Sequence, residues 1–261
     1  MVEIFLALIL ISLLISISGN LAVFRKASFL IASVSHSALA GVALSLLLTS
    51  LGFEQDYFLL ATLFAIAFAL LASLTSRFSD IDTGVAISFA LSMAIAVVFL
   101  SLIRGISAKI WAFLFGEILL VTEQDLIYLT FSTILVILLF GLLYNKFIFF
   151  LFDPEGAKAS GINPKLLDLI LFAIIATSVV AVIRSVGAIL AYSIFIAPSA
   201  IAKEFAQSVK QSLIITFGIT LISLMLGISV SLIFPVSASA LAALIASTLY
   251  IVVFSLRRLK K

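Results

Sequence analysis

His36 is the only histidine among 261 residues, and it sits inside the uncharged run 28–48, SFLIASVSHSALAGVALSLLL. That run has the length of about 20 residues needed to cross a bilayer. Small residues surround the histidine: Ala32, Ser33, Ser35, Ser37, Ala40, Gly41 and Ala43. Residues three and four apart share a helix face, so on its own helix the imidazole is flanked by Ala32, Ser33 and Ala40, with Leu39 the one bulky apolar neighbour. An ionisable group within a span is costly to turn toward lipid and is expected to face a packed interface or a cavity. Two readings fit. Facing a cavity, the imidazole of His36 would be a functional group by default. The same face can instead hold a hydrogen-bonded structural histidine between closely packed helices.

Other reactive groupings are sparse. Cysteine is absent, which removes thiolate ligands, thiol nucleophiles and disulfides. Ser33 and Ser35 stand too close to His36 along one helix for a catalytic dyad, and no G-x-S-x-G turn occurs. No G-x-x-x-x-G-K-[ST] loop is present, so any ATP hydrolysis must belong to a partner and the chain itself is expected not to be an enzyme. Glu117, Glu123 and Asp125 cluster in the segment 104–125, RGISAKIWAFLFGEILLVTEQD. They read either as cap charges or as a lure for cations at the mouth of a pathway. The most polar stretch is 151–165, LFDPEGAKASGINPK. There Asp153 can cap a short helix with Pro154 first and Glu155 in its first turn. Gly161 can end it in a left-handed cap, and Pro164 can open the next helix. A plain connector needs only about 2–8 residues, so a capped helix here reads as a docking element or an interfacial loop.

The elements that carry these residues are membrane spans. The chain is 64% apolar and 10% charged, with a mean hydropathy of +1.40, against about 45–50% and 25% for a soluble domain. The apolar runs lack period-two alternation, which argues against a β-barrel. Candidate spans fall at 3–24, 28–49, 57–76, 83–103, 126–150, 166–184, 187–202, 210–234 and 237–256. The first reads as a retained helix, since no basic stretch precedes it as in a signal peptide. The 187–202 segment is short and holds Pro198, so a broken or tilted helix is expected. With the N-terminus outside, twelve of the fifteen Lys and Arg residues fall on the inner side and only Arg104, Lys109 and Arg184 on the outer. The positive-inside rule therefore gives N-out, C-in. The 104–125 stretch is too apolar for a free loop and too short for a span, which predicts an outer re-entrant or interfacial helix. The net charge of +3 resides in short loops and reports topology, giving no sign of nucleic-acid binding. The expected fold is an all-α polytopic bundle of eight or nine spans, one transmembrane domain over 1–261, with lipid as its surroundings.

Five stretches, in order along nearly the whole chain, carry a family resemblance: RKASFLIASVSHSALAGVAL (25–44), FLFGEILLVTEQDL (113–126), FDPEGAKASGI (152–162), VGAILAYSIFIAPSAIAKEFA (186–206) and FPVSASALAALIASTLYIVVFSL (234–256). Together they resemble the membrane permease subunit of bacterial and archaeal ABC importers for zinc, manganese or iron. The resemblance implies two permease copies around a central pathway in the cytoplasmic membrane. It also implies two cytoplasmic ATP-binding subunits, and an extracytoplasmic metal-binding protein that delivers the ion. No tightly bound cofactor is implied; the metal is cargo. Asp153, Pro154, Glu155, Ala157 and Gly161 match the family's coupling helix, which docks on the ATPase. The family commonly has an aspartate four residues before this histidine, and here that position is Ala32. The resemblance then implies a weak, fast-releasing metal site in which two His36 imidazoles face each other across a two-fold axis, with serine hydroxyls (Ser33, Ser37) or water. Two further readings are a permease for a metal chelate or small organic molecule, and a stand-alone secondary transporter. The latter usually carries several intramembrane charges, and few stand in these spans.

Overall fold

The computed structural model describes residues 2–53, 55–103 and 108–258. The described residues form eleven α-helices and one 3₁₀ turn. In order they are α1 (Val2–Phe24), α2 (Phe29–Ser50), α3 (Tyr57–Thr75), α4 (Ile81–Ser101), α5 (Ala108–Phe115), the 3₁₀ turn Ile118–Leu120, α6 (Glu123–Phe152), α7 (Pro154–Ala159), α8 (Pro164–Val186), α9 (Ala188–Phe205), α10 (Val209–Ser231) and α11 (Ala238–Arg258). All but α5 and α7 are long and apolar enough to span a membrane. Each lies within three residues of its expected bounds. In hydrocarbon every backbone polar group needs a partner within the protein, and a helix supplies one within the segment itself. The expected break near Pro198 is absent: α9 runs unbroken through it, with Pro198 buried among neighbouring helices. Arg104 and the 104–107 part of the expected outer segment fall outside the described residues, as does the end of the basic C-terminal run.

Helices α1, α2, α8 and α9 form the centre, while α4, α6, α10 and α11 keep most of their surface outward. Lipid tails are as apolar as leucine, so span packing depends on close approach through small residues and on hydrogen bonds between helices. Both devices are present. A methyl added at Gly41 of α2 would fall 2.4 Å from the Leu60 carbonyl oxygen of α3. One added at Gly19 of α1 would fall 2.6 Å from the Phe195 carbonyl oxygen of α9. Asn20 Nδ2 donates to Thr216 Oγ1 of α10 at 2.8 Å and to the Ser16 carbonyl at 2.7 Å, and Ser212 Oγ donates to Asn20 Oδ1. This buried seam ties α1 to α10.

The opposite ends of the bundle carry the two short helices, and they are called here the α5 face and the α7 face. On the α5 face, α5 lays Ile110 and Phe113 against α2, α8 and α9 and leaves Trp111 and Phe115 outward. Its exit is fixed by Gly116, whose backbone touches that of Gly187, the single residue between α8 and α9. Both glycines have positive φ, 54° and 93°. A Cβ on Gly116 would lie 2.2 Å from the Gly187 nitrogen, and one on Gly187 would lie 2.3 Å from the Phe115 carbonyl carbon. Neither position admits a side chain. Gly187→Ala or Gly116→Ala is therefore expected to lower stability by about 2 kcal/mol or more through strain and backbone displacement. Gly141→Ala, in open space on α6, should be neutral or slightly stabilising. Unfolding midpoints of the purified chains in detergent compare the three.

Candidate functional site

His36 lies on a stripe in the first half of α2 that is not fully buried, with Phe29 and Ala32. Across from it stands Phe89 of α4. The Phe89 ring meets the imidazole edge-on, with centroids 5.0 Å apart and planes at 85°. The same ring packs against Phe29 at 5.2 Å. Phe89 thus bridges residues 29 and 36, the interval in which Ala32 falls, and forms an aromatic wall beside the histidine. The Nδ1 of His36 is buried and has no hydrogen-bond partner among the described residues. An orphaned buried nitrogen is costly. The Ser73, Ser185 and Thr220 hydroxyls are in the same condition. The hydroxyls of Ser33 and Ser37 do not meet the His36 Nδ1. Both are buried: Ser37 Oγ donates to the Ser33 carbonyl at 2.7 Å, and Ser33 Oγ reaches the Val85 carbonyl at 3.5 Å. No three His, Asp or Glu side chains come together in a metal-holding group among the described residues.

On the α5 face the three candidate acids have separate fates. Asp125 is buried. Its carboxylate closes a capping box at the start of α6, accepting from the Thr122 N–H and hydroxyl at 2.8 Å each. It also receives the Nε of Arg184 from the last turn of α8. The Arg184 guanidinium lies 3.6 Å from the Phe58 ring centroid and 4.6 Å from that of Tyr128. Tyr128 in turn donates to Asp56 at 2.9 Å, the residue that caps α3. This knot joins α3, α6 and α8, and its Phe58, Thr122, Asp125 and Arg184 line an open cavity of about 260 Å³. Asp125 is thereby neutralised. Glu117 Oε1 accepts from the Leu119 N–H at 3.5 Å, and Glu123 is exposed in the first turn of α6, where a helix dipole favours it. All three act as caps or helix-end charges. Arg184 was visible in the sequence only as a charge at a span end; nothing local signals its pairing with a residue 59 positions away.

On the α7 face the local chemistry of 151–165 is realised. Asp153 Oδ1 accepts from the Gly156 N–H at 2.9 Å, and Pro154 is the first helical residue. Gly161 takes φ 80°, and the Ile162 N–H returns to the Ala157 carbonyl at 3.0 Å. Asn163 then caps α8. Ala157 is fully buried against the ends of α6 and α8, while Asp153, Pro154, Glu155 and Gly161 are exposed. A small rigid helix, sealed at both ends, is presented outward on one buried residue.

The sequence profile described as ABC 3 transport family matches residues 1–257. The chain belongs to this family. Relatives of the ABC 3 transport family chain include a high-affinity zinc uptake system membrane protein, ZnuB, of Buchnera aphidicola. It is 31% identical over 95% of this chain and 94% of its own. A manganese transport system membrane protein, MntC, of Listeria monocytogenes is 28% identical over 90% and 83%. The fold matches that of PsaBC from Streptococcus pneumoniae, solved in complex with Fab, with a TM-score of 0.82 at 24% identity, over 97% of this chain and 90% of that one.

The α5-face knot yields a stability prediction. The Arg184 side chain is 8% exposed. Asp125→Ala strands that cation and is expected to cost about 3–5 kcal/mol. Glu123→Ala should cost less than about 0.5 kcal/mol. Thermal unfolding of the two variants in detergent separates a buried pair from surface charge.

Proposed function

We propose that this chain is the membrane-spanning subunit of an ABC importer that brings a divalent transition metal, zinc, manganese or iron, into the cytoplasm. The observation that carries the reading is the capped α7 helix, held on a buried Ala157, within a chain of the ABC 3 transport family. In this reading α7 faces the cytoplasm and docks on ATP-binding subunits, with Asp153, Pro154, Glu155, Ala157 and Gly161 forming the docking element. The α5 face looks outward and receives the metal from an extracytoplasmic binding protein. A capped helix transmits a rigid-body push that a loose loop would absorb. The membrane is the cytoplasmic membrane of a bacterium or archaeon, and the N-terminus lies outside, as the distribution of Lys and Arg supports.

The pathway runs past His36. One imidazole per chain is a poor metal site, so two copies bring two imidazoles to a shared axis, a closed two-fold arrangement. The orphaned Nδ1 supports this reading. Weak ligation suits transport, because a tight site would retain the ion. The names of the relatives support zinc or manganese as cargo. The missing carboxylate at Ala32 favours a second reading, in which the cargo enters as a chelate that brings its own ligands.

The purified chain alone is expected to show no ATPase activity. In vesicles holding the full complex, His36→Ala should lower metal-stimulated uptake by about tenfold or more while assembly persists. Unchanged uptake in that variant would make His36 structural. Ala32→Asp together with Phe89→Ala should tighten metal binding and slow release, read as a lower half-saturating metal concentration with lower maximal uptake. Stimulation by a chelate and not by the free ion would support the second reading.

A further inference from the structure

Arg25 occupies the junction between α1, α2 and both stems of α7. α1 ends in a tight return: the Ala27 N–H reaches the Ala22 carbonyl at 2.9 Å and the Lys26 N–H the Val23 carbonyl at 3.3 Å. Lys26 has φ 57°, the only positive φ outside glycine among the described residues. Four residues, 25–28, separate α1 from α2, and Ala27 among them is buried. The turn is stiff, because two carbonyls of α1 are satisfied within it.

From this turn Arg25 reaches Asp168 with a full fork. Nε donates to Oδ1 at 2.7 Å and Nη2 to Oδ2 at 2.8 Å. The guanidinium also lies 5.1 Å from the Phe150 ring centroid, and Phe24 packs on Phe152 at 5.8 Å. Phe150 and Phe152 end α6, just before Asp153 caps α7; Asp168 lies in the second turn of α8, just after α7. One side chain therefore holds the entry stem of α7, its exit stem and the turn that opens α2. Both partners are about one-fifth exposed. A bidentate pair in such a setting is among the stronger ionic contacts, and a lysine cannot reproduce its fork or its aromatic stacking.

We propose that Arg25 is a positioning residue that transmits movement of α7 to the helix bearing His36. His36 lies seven residues into α2 from Phe29, about 10 Å along a rigid helix. A displacement of the α7 stems carries the α1–α2 turn with it and so shifts α2 against the Phe89 wall. This rests on the reading of α7 as the ATPase-docking helix.

The test measures ATP hydrolysis and metal uptake in parallel, in proteoliposomes holding the complete complex. Wild type is compared with Arg25→Gln, Asp168→Asn, their double variant and Arg25→Lys. Metal transported per ATP should fall by about fivefold or more in each neutral single variant, a loss within the span of known coupling energies. Hydrolysis should stay within about twofold of wild type, a range that leaves the nucleotide cycle itself intact. The double variant should be no worse than either single, because both remove one interaction. Arg25→Lys, which keeps the charge and should assemble even where the neutral variants do not, should give an intermediate ratio. A merely structural role would lower the amount of folded complex and leave the ratio untouched. An unchanged ratio in Arg25→Lys and in the neutral variants that assemble, or losses that multiply in the double variant, overturns the proposal. Asp153→Ala combined with Ala157→Trp tests the premise separately: if hydrolysis, assembly and uptake all survive it, α7 is not the docking element and the premise falls, whatever Arg25 does.

Discussion

Backbone meeting backbone is the contact on which this bundle depends. Within lipid there is little gain from burying one leucine against another, so helices hold together where small residues let their main chains touch. Gly41 does this for α2 on α3, Gly19 for α1 on α9, and Gly227 for α10 on α11, where an added methyl would lie 2.7 Å from the Ala238 carbonyl oxygen. The helix with the candidate histidine is the one enclosed most completely in this way. Its position is therefore set largely by van der Waals contact, and in its first half the Phe29–Ala32–His36 stripe is left for another purpose.

Polar groups are gathered into a few knots at defined depths. The Asn20 seam sits between α1 and α10, the Arg184–Asp125 pair at one end of the bundle and the Arg25–Asp168 pair at the other. Each is met by aromatic rings or by hydroxyls, which lowers the cost of holding charge near hydrocarbon. The two ion pairs share a design: an arginine at the end of one span, a carboxylate near the start of another, and a phenylalanine under the guanidinium. His36 breaks this pattern, because its buried nitrogen is left without a partner. The Ser73, Ser185 and Thr220 hydroxyls are likewise unpartnered among the described residues, but of these four groups only the imidazole is a transition-metal ligand by type.

The sequence made legible whatever is decided locally. Span positions follow from uninterrupted apolar length, and the ends of α7 follow from Asp153, Pro154 and Gly161, whose roles are completed within a few residues. The embedding of α5 was visible because IWAFLFGEILLV is too apolar to float. Pairings over long separations were not legible. Arg25 and Asp168 stand 143 residues apart, and no periodicity brings them together; only the packing of α1, α6 and α8 does. Asp125 was readable as a cap but not as a counter-ion. Nothing in the sequence singles out Phe89, because its role depends on which side of α4 meets α2. Pro198 misled in the other direction: intrinsic helix preference suggests a break, and surrounding helices override it.

The single-residue link at Gly187 limits how the molecule can move. Most pairs of spans are joined by several residues that can absorb rotation, but α8 and α9 share one glycine, and that glycine is wedged against Gly116. The two helices cannot scissor about their junction without driving main-chain atoms into one another. They form a fixed V whose apex is clamped by α5. Any displacement of α8 relative to the bundle is then shared with α9, and it is felt along the long sides of the V, where α8 meets α1, α2, α3 and α6 and α9 meets α1, α2, α10 and α11.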